Sequence, residues 1–245
     1  MRQNGDYNTG QESRWQEGID LVLDKYAFNK PLRVLDVGCG DGSFLRFLRR
    51  EAKKRNIILK GLEYYGIDVA REYRDLARKE GVEFQVGNAL NLQKHYNKEF
   101  FDVIIASEIL EHVSATDKLI KSIRNVLKKD GYLYLTTPNL ASWHSRLVLL
   151  LGYQPLITEV SNEKADFGKG WIWKFYGGRK TQPIHHIRCF TLRALKEFLN
   201  YHGFEVEHIN GGGYRTVENF VFRIFVGLSP VIKIICRKIK GPKFL

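Results

Sequence analysis

The stretch Val34-Leu35-Asp36-Val37-Gly38-Cys39-Gly40-Asp41-Gly42 decides the fold. An apolar strand ends in an acid, three glycines follow at alternate positions, and Ser43 leads into an amphipathic segment over 44–50. Glycine has no Cβ, so the chain can turn tightly there and lie close to a ligand. Strand, glycine loop and helix in this order form a site for a nucleotide-like molecule.

The loop's chemistry narrows the nucleotide. A dinucleotide fingerprint, G-x-G-x-x-G, needs its third glycine at position 43, where this chain has Ser43; the third glycine, Gly42, comes one residue early. A pyrophosphate between Asp36 and Asp41 would meet like charge, leaving only helix N-terminal amides to neutralise it. S-adenosylmethionine carries no phosphate, and its sulfonium and ammonium favour acidic neighbours. The loop therefore points to adenosylmethionine over NAD.

Outward from the loop, strands alternate with helices in the doubly wound manner. Strands are expected at 32–37, 64–68, 82–86, 101–106 and 132–137, with helices at 43–54, 70–79 and 116–128 between them. The fourth strand is nearly all apolar, as burial on both faces requires. A helix at 15–28 precedes the first strand, and residues 1–14 read as disordered. The pattern changes at Pro138: a Leu-rich helix at 142–151 leads into a loop heavy in Gly, Trp, Lys and Tyr. Thr191 caps a helix to residue 201, and a sixth strand follows at 204–209. Residues 217–228 carry helical spacing, and a seventh strand is expected after Pro230. The expected architecture is α/β, a Rossmann-like doubly wound seven-stranded mixed sheet with helices on both faces and a lid insertion after strand five. Its division is 1–29 tail and helix, 30–138 cofactor-binding core, 139–190 lid or acceptor insertion, and 191–245 completion of the sheet with a basic tail.

At 245 residues the chain can bury one full core. Its 39 basic residues against 27 acidic give +12, which attracts anions: nucleic acid, an anionic membrane or an acidic substrate. Cys39, Cys189 and Cys236 are far apart and unpaired in spacing, which excludes a disulfide framework or zinc site and fits a reducing compartment. The polar N-terminus lacks a signal-peptide core, and no apolar run approaches the ~20 residues that span a bilayer. The chain reads as cytoplasmic, with peripheral membrane attachment open.

With these elements placed, the sequence resembles the class I S-adenosylmethionine-dependent methyltransferases over roughly 30–210. The loop at 34–42 matches their first motif, and Tyr65-Gly66-Ile67-Asp68-Val69 their second. The resemblance implies that Asp36, Gly38, Cys39 and Gly40 line the cofactor. It also implies that Asp68, next to Val69, accepts both ribose hydroxyls, a task suited to a carboxylate. The Gly40-to-Asp68 interval exceeds the usual ~20 residues, and a lengthened loop at 51–61 is expected to absorb the excess. Gly87-Asn88-Ala89 matches the third motif, with Asn88 where the family more often has Asp; Asn88 and Ala89 are then expected at the adenine. FDVIIASEILEHV, 101–113, matches the fourth, and Ser107, Glu108 and Ile109 should pass beside the cofactor's methionine and adenine ends. GYLYLTTPN, 131–139, matches the motif on strand five. Glu108-Ile109-Leu110-Glu111-His112-Val113 and His185-His186-Ile187-Arg188-Cys189-Phe190-Thr191 are most similar to the O-methyltransferases of ubiquinone biosynthesis and their relatives. Ala106-Ser107-Glu108-Ile109 is unlike the Asn/Asp-Pro-Pro-aromatic motif of nucleic-acid amino-methyltransferases.

A methyl transfer to oxygen needs an aligned acceptor and removal of its proton. Histidine suits that proton near neutral pH; His185 is the first candidate, with His186, His112 and His144 its rivals. Glu108, Glu111 and His112 share one helical turn by spacing and could ligate Mg²⁺ or Zn²⁺. Structural roles for the three are preferred, and no metal is expected. Residues 169–180 alternate aromatics with cations, a pattern for a membrane interface, a nucleic-acid strand or a lid. With the apolar 147–151 and the cations of 233–243, it favours a small or lipid-like acceptor taken from an anionic membrane surface, with nucleic acid less favoured. The alternatives are an RNA or protein methyltransferase using the basic surface, or an NAD-dependent oxidoreductase or non-catalytic nucleotide-binding module.

Overall fold

A computed structural model describes residues 9–28, 31–170, 183–213, 222 and 224–241. Seven strands form one sheet: β1 (Leu32–Val37), β2 (Leu62–Asp68), β3 (Glu83–Val86), β4 (Phe101–Ser107), β5 (Leu127–Pro138), β6 (Phe204–Gly212) and β7 (Val231–Lys238). Their order is β3-β2-β1-β4-β5-β7-β6, with β1 to β5 parallel and β7 antiparallel to both its neighbours. The chain runs outward from β1 to β3, then returns to β4 on the other side of β1. This reversal opens a crevice at the carboxyl ends of β1 and β4, where sheets of this kind bind ligands.

The period-two alternation of the strands divides two cores. Val34, Val103, Ile105 and Tyr134 face one layer; Leu35, Val37, Ile104, Leu133 and Leu135 face the other. The first layer holds α1 (Thr9–Phe28), α2 (Ser43–Lys54) and α3 (Arg74–Lys79), through residues such as Trp15, Ile19, Phe44, Leu48 and Ala77. The second holds α4 (Thr116–Val126) and α6 (Leu192–Tyr201), through Leu119, Ile123, Leu195 and Leu199. Between them in sequence, α5 (Trp143–Leu150) leaves Leu147, Leu149 and Leu150 at 50%, 53% and 83% exposure.

Several expectations need correction. Residues 9–14, read as disordered, belong to α1, which starts at Thr9. Tertiary contacts hold this turn where composition gives no signal: Tyr134 donates its hydroxyl to the Arg14 carbonyl. Gly18 lets the helix lie against that ring, where a Cβ would stand 2.5 Å away. The fourth helix ends at Val126, and Leu127 already pairs with Phe101, so β5 starts five residues before the expected 132. The segment expected as one helix at 70–79 opens with a 3-10 turn, Arg71–Tyr73, before α3. Of the loop placed at 51–61, the first four residues complete α2. The basic tail is also smaller than expected: Lys233 and Lys238 are buried within β7, Lys233 on Glu17 at 2.7 Å. Half of the 217–228 helix (217–221 and 223), and the aromatic and cationic stretch from 171 to 180, lie outside the described residues; the helix expected to run to 228 gives way at Phe225 to a 3-10 turn, Val226–Leu228.

Candidate active site

The glycine loop is tied to β2 by its own backbone. Gly38 and Cys39 donate to the Ile67 carbonyl at 2.8 and 3.3 Å, and Gly40 donates to Asp68 Oδ2 at 3.0 Å. Gly38, Gly40 and Gly42 all have positive φ (75°, 50° and 81°), which a Cβ would strain. Above Gly40 a Cβ would meet nothing within 4 Å, so this turn opens onto free space. Over Gly38, by contrast, the Ile109 side chain sits 3.1 Å from where a Cβ would be. Ala70 donates to Asp68 Oδ1 at 2.9 Å, so both carboxylate oxygens are held by backbone. Each keeps a lone pair for a ligand hydroxyl.

The third segment joins the same crevice. Gly87 donates to the Asp68 carbonyl at 2.9 Å, which sets Asn88 and Ala89 beside Asp68. Asn88 Oδ1 caps the following 3-10 turn by accepting from Leu90 N at 2.9 Å. That cap gives Asn88 a local task, while its exposed amide keeps an NH₂ and a second carbonyl lone pair. Val69 is 70% exposed on the lip of the crevice.

Two candidates lie beneath rather than in the opening. Cys39 is buried, its Sγ only 2.6 Å from where a Cβ on Gly66 would stand, so burial pushes its thiol pKa up and its backbone alone serves the loop. Asp36 is buried and accepts from Tyr64 Oη at 3.1 Å. Burial lifts its pKa to about 7, assisted by the charges of Asp68 and Asp41 and opposed by the Tyr64 hydrogen bond. A carboxyl poised at that value is readily ionised by a nearby cation.

At the end of β4, the N-terminal helix closes one side of the crevice. Arg14 Nη1 pairs with Glu108 Oε2 at 2.9 Å, and Trp15 Nε1 donates to Ser107 Oγ at 3.2 Å. Thr136 on β5 donates to Glu108 Oε1 at 2.9 Å and lies 2.9 Å from Ser107 Oγ. Glu108 itself has φ of 54°, with its N–H held by the Thr136 carbonyl at 3.1 Å. Sequence reasoning missed Arg14, Trp15 and Thr136; the paired hydroxyls of Thr136-Thr137 at the end of a buried strand were the available signal.

Beyond Glu108 a second cluster forms. Ile187 and Arg188 donate to the Glu111 carbonyl at 2.7 and 3.1 Å, folding the segment after the insertion over the turn at Leu110–His112. His112 Nδ1 donates to the His185 carbonyl at 3.1 Å, and the His112 and His186 rings meet edge to face at 4.9 Å. His186 Nδ1 donates to the Ile157 carbonyl at 2.9 Å, which leaves Nε2 as the lone-pair nitrogen, and burial lowers its pKa. Glu111 is 1% exposed. Its Oε2 accepts from Thr137 at 3.0 Å, and its Oε1 is buried with no hydrogen-bond partner, 4.0 Å from His112 Nε2. Burial, then the Glu108 charge, lifts the Glu111 pKa to about 8.

Glu111, His112 and His186 thus bring their ligand atoms within 4.8 Å of one another. The sequence set of Glu108, Glu111 and His112 is corrected in one member: Glu108 is taken up by Arg14 and Thr136, and His186 replaces it. His185, the first candidate base, is exposed; its backbone N–H is held by Glu159 at 2.8 Å and its carbonyl by His112. His144 is buried beside Ser142 and Trp143, apart from this cluster.

The donor crevice suits adenosylmethionine on its own geometry: an open glycine turn, a carboxylate fixed for a diol, and acids that repel a pyrophosphate. Comparison with known proteins agrees. A family profile described as "Methyltransferase domain" matches residues 7–209. The ubiquinone biosynthesis O-methyltransferase of Yersinia enterocolitica is 26% identical over 171 residues, 63% of this chain and 65% of that protein. That of Vibrio cholerae is 28% identical over 156 residues, 62% and 60% respectively. The chain thus spans a little under two thirds of the length of these curated relatives. A SAM-dependent methyltransferase structure from Methanosarcina mazei superposes with a TM-score of 0.58 at 23% identity, over 89% of this chain and 97% of that one. The chain belongs to the methyltransferase-domain family and has the fold of the S-adenosylmethionine-dependent methyltransferases.

Proposed function

We propose that the protein is an S-adenosylmethionine-dependent methyltransferase that delivers the methyl group to an oxygen of a small or lipid-like acceptor. The observation that carries the acceptor chemistry is the cluster of Glu111, His112 and His186 beside the donor crevice. When bound, adenosylmethionine supplies an already activated methyl group. The chain's own work is placement and proton removal. Asp68 accepts the ribose hydroxyls, Asn88 meets the adenine edge, and Gly38 and Gly40 bring backbone against the ligand. Ser107, Glu108 and Ile109 border the methionine end, with Asp36 ionising beneath. His112 Nε2 takes the acceptor's hydroxyl proton while its Nδ1 is fixed on the His185 carbonyl.

The insertion at 139–190 serves as the acceptor lid. Trp143, Leu147, Leu150 and Leu151 expose 44–83% of their surface near the site's end of β5. Such a face supports docking at a membrane and uptake of an apolar acceptor from it. No helix among the described residues is long and apolar enough to cross a membrane. The methyltransferase fold and acidic glycine loop leave the dinucleotide-oxidoreductase alternative without support.

A second reading has one specific observation behind it. The buried, unpartnered Glu111 Oε1 beside two imidazoles offers a divalent cation a carboxylate and two nitrogens. Adenosylhomocysteine release over a panel of catechols, hydroxylated polyprenyl phenols and amines tests both readings, before and after dialysis against EDTA. Turnover on hydroxyl acceptors that survives EDTA supports the histidine base. Loss of turnover by more than about tenfold, restored by Mn²⁺ or Zn²⁺, establishes the metal instead. Turnover on amines alone refutes the oxygen assignment.

A further inference from the structure

At the opposite end of the parallel strands lies a cleft of about 630 Å³ that the methyl-transfer chemistry does not use. It is formed by the approach to β4, the last turns of α4, the turn within β5 and the end of β7. Lys98, Lys121, Arg124, Lys129, Lys238 and Lys240 line it. Only two carboxylates join them, and both are already engaged: Glu99 faces Lys238 at 3.4 Å, and Asp130 pairs with Arg237 at 3.2 Å. Among the described residues, Lys98, Lys121, Lys129 and Lys240 have no ion-pair partner, and all four are exposed around the opening. Lys238 sits at the floor, 6% exposed, with Nζ on the Leu127 carbonyl at 2.6 Å. Arg124 is fixed alongside it by Nη2 on the Ile239 carbonyl at 2.8 Å.

We propose that this cleft binds a soluble, multiply phosphorylated small molecule. Four uncompensated ammonium groups around a partly enclosed hollow match several phosphate charges better than a single planar carboxylate, which one arginine would serve. The volume is that of a small-ligand site. Position selects the source of the phosphate. The cleft lies at the amino ends of the parallel strands and the exposed face of α5 at their carboxyl ends. A seven-residue strand such as β4 separates the two edges by roughly 20 Å. A bilayer in contact with α5 would leave the cleft on the far side, open to solution. Burial lowers the Lys238 pKa; Glu99 opposes the shift, and Arg124 and Lys98 add to it more weakly.

The test titrates the full chain with inorganic pyrophosphate by calorimetry at low salt, beside Lys98→Glu/Lys121→Glu, whose altered side chains are both exposed and leave the floor intact. Saturable one-site binding to the wild type, weakened at least about tenfold in the double variant with adenosylmethionine affinity unchanged, supports the proposal. Absence of saturable binding, or equal binding by the variant, overturns it. Two further arms fix the source. The proposal expects the variant to sediment with phosphatidylglycerol-containing vesicles as the wild type does. It also expects pyrophosphate to displace any single-stranded RNA held by the cleft. Vesicle binding lost in the variant, or RNA that pyrophosphate cannot displace, assigns the cleft to a macromolecular surface and overturns the small-molecule reading.

Discussion

On the donor side, the Gly38 N–H is held by the Ile67 carbonyl and the Gly40 N–H by the Asp68 carboxylate, at the ends of adjacent parallel strands. On the acceptor side, Glu111, His112 and His186 meet only because a returning segment folds over a short turn, with His112 reaching the carbonyl of a residue 73 positions away. The donor side is a property of the sheet; the proposed acceptor side depends on a segment that returns after the insertion. One scaffold can therefore hold its cofactor constant while its acceptor changes, since loops tolerate variation that paired strands do not. The same contrast separates substitutions that affect binding from those that affect turnover.

The largest expected effect is His112→Ala. It should lower kcat by about 10²–10⁴-fold, the range of a general base, with adenosylmethionine affinity unchanged. A matching loss of cofactor affinity would show that the two sides are not separable. Asp68→Ala should do the reverse, weakening adenosylmethionine by roughly 10²-fold, since hydrogen bonds to a charged group contribute about 1.5–3 kcal/mol each. Isothermal titration reads this directly, and a folded variant of unaltered affinity would remove Asp68 from the site.

How much of this was legible follows from the same contrast. The loop at β1 was read correctly because its signal is local: an apolar strand, glycines requiring positive φ, and an amphipathic helix within a dozen residues. The seventh strand was readable from the β-branched run after Pro230, which forms Val231–Lys238. The start of α1 was not, because a Tyr134 hydroxyl and Glu108, both distant in sequence, hold Arg14 in its second turn. Nor was the exchange of Glu108 for His186, since i, i+3 spacing describes one turn and cannot register a segment returning from beyond the insertion. Lys233 was counted among the cations facing an anionic membrane surface, yet Glu17 and the Ser13 carbonyl receive it inside the fold.

The smallest effect sharpens the donor side. Asp36 has its pKa raised to about 7, facing Tyr64 and near Asp68 and Asp41. Native Asp36 keeps its proton to higher pH than the unfolded chain does. Its stabilising contribution is therefore full below about pH 4, falls as pH rises, and is gone above about 7. Binding of a cationic ligand runs the other way, because it requires the carboxylate. Adenosylmethionine affinity should rise by up to about tenfold per pH unit below 7 and level off above it. Asp36→Asn should flatten the profile; a pH-dependent profile that persists in this variant would assign the titration to another group.

The most direct test of the donor assignment is an equilibrium titration of the purified chain with adenosylmethionine and, separately, with NADH, for the wild type and Asp68→Ala. Saturable one-to-one binding of adenosylmethionine by the wild type is expected, with a weakening by roughly 10²-fold in the variant and no comparable binding of NADH. Tighter retention of NADH, or adenosylmethionine binding indifferent to Asp68, would contradict it.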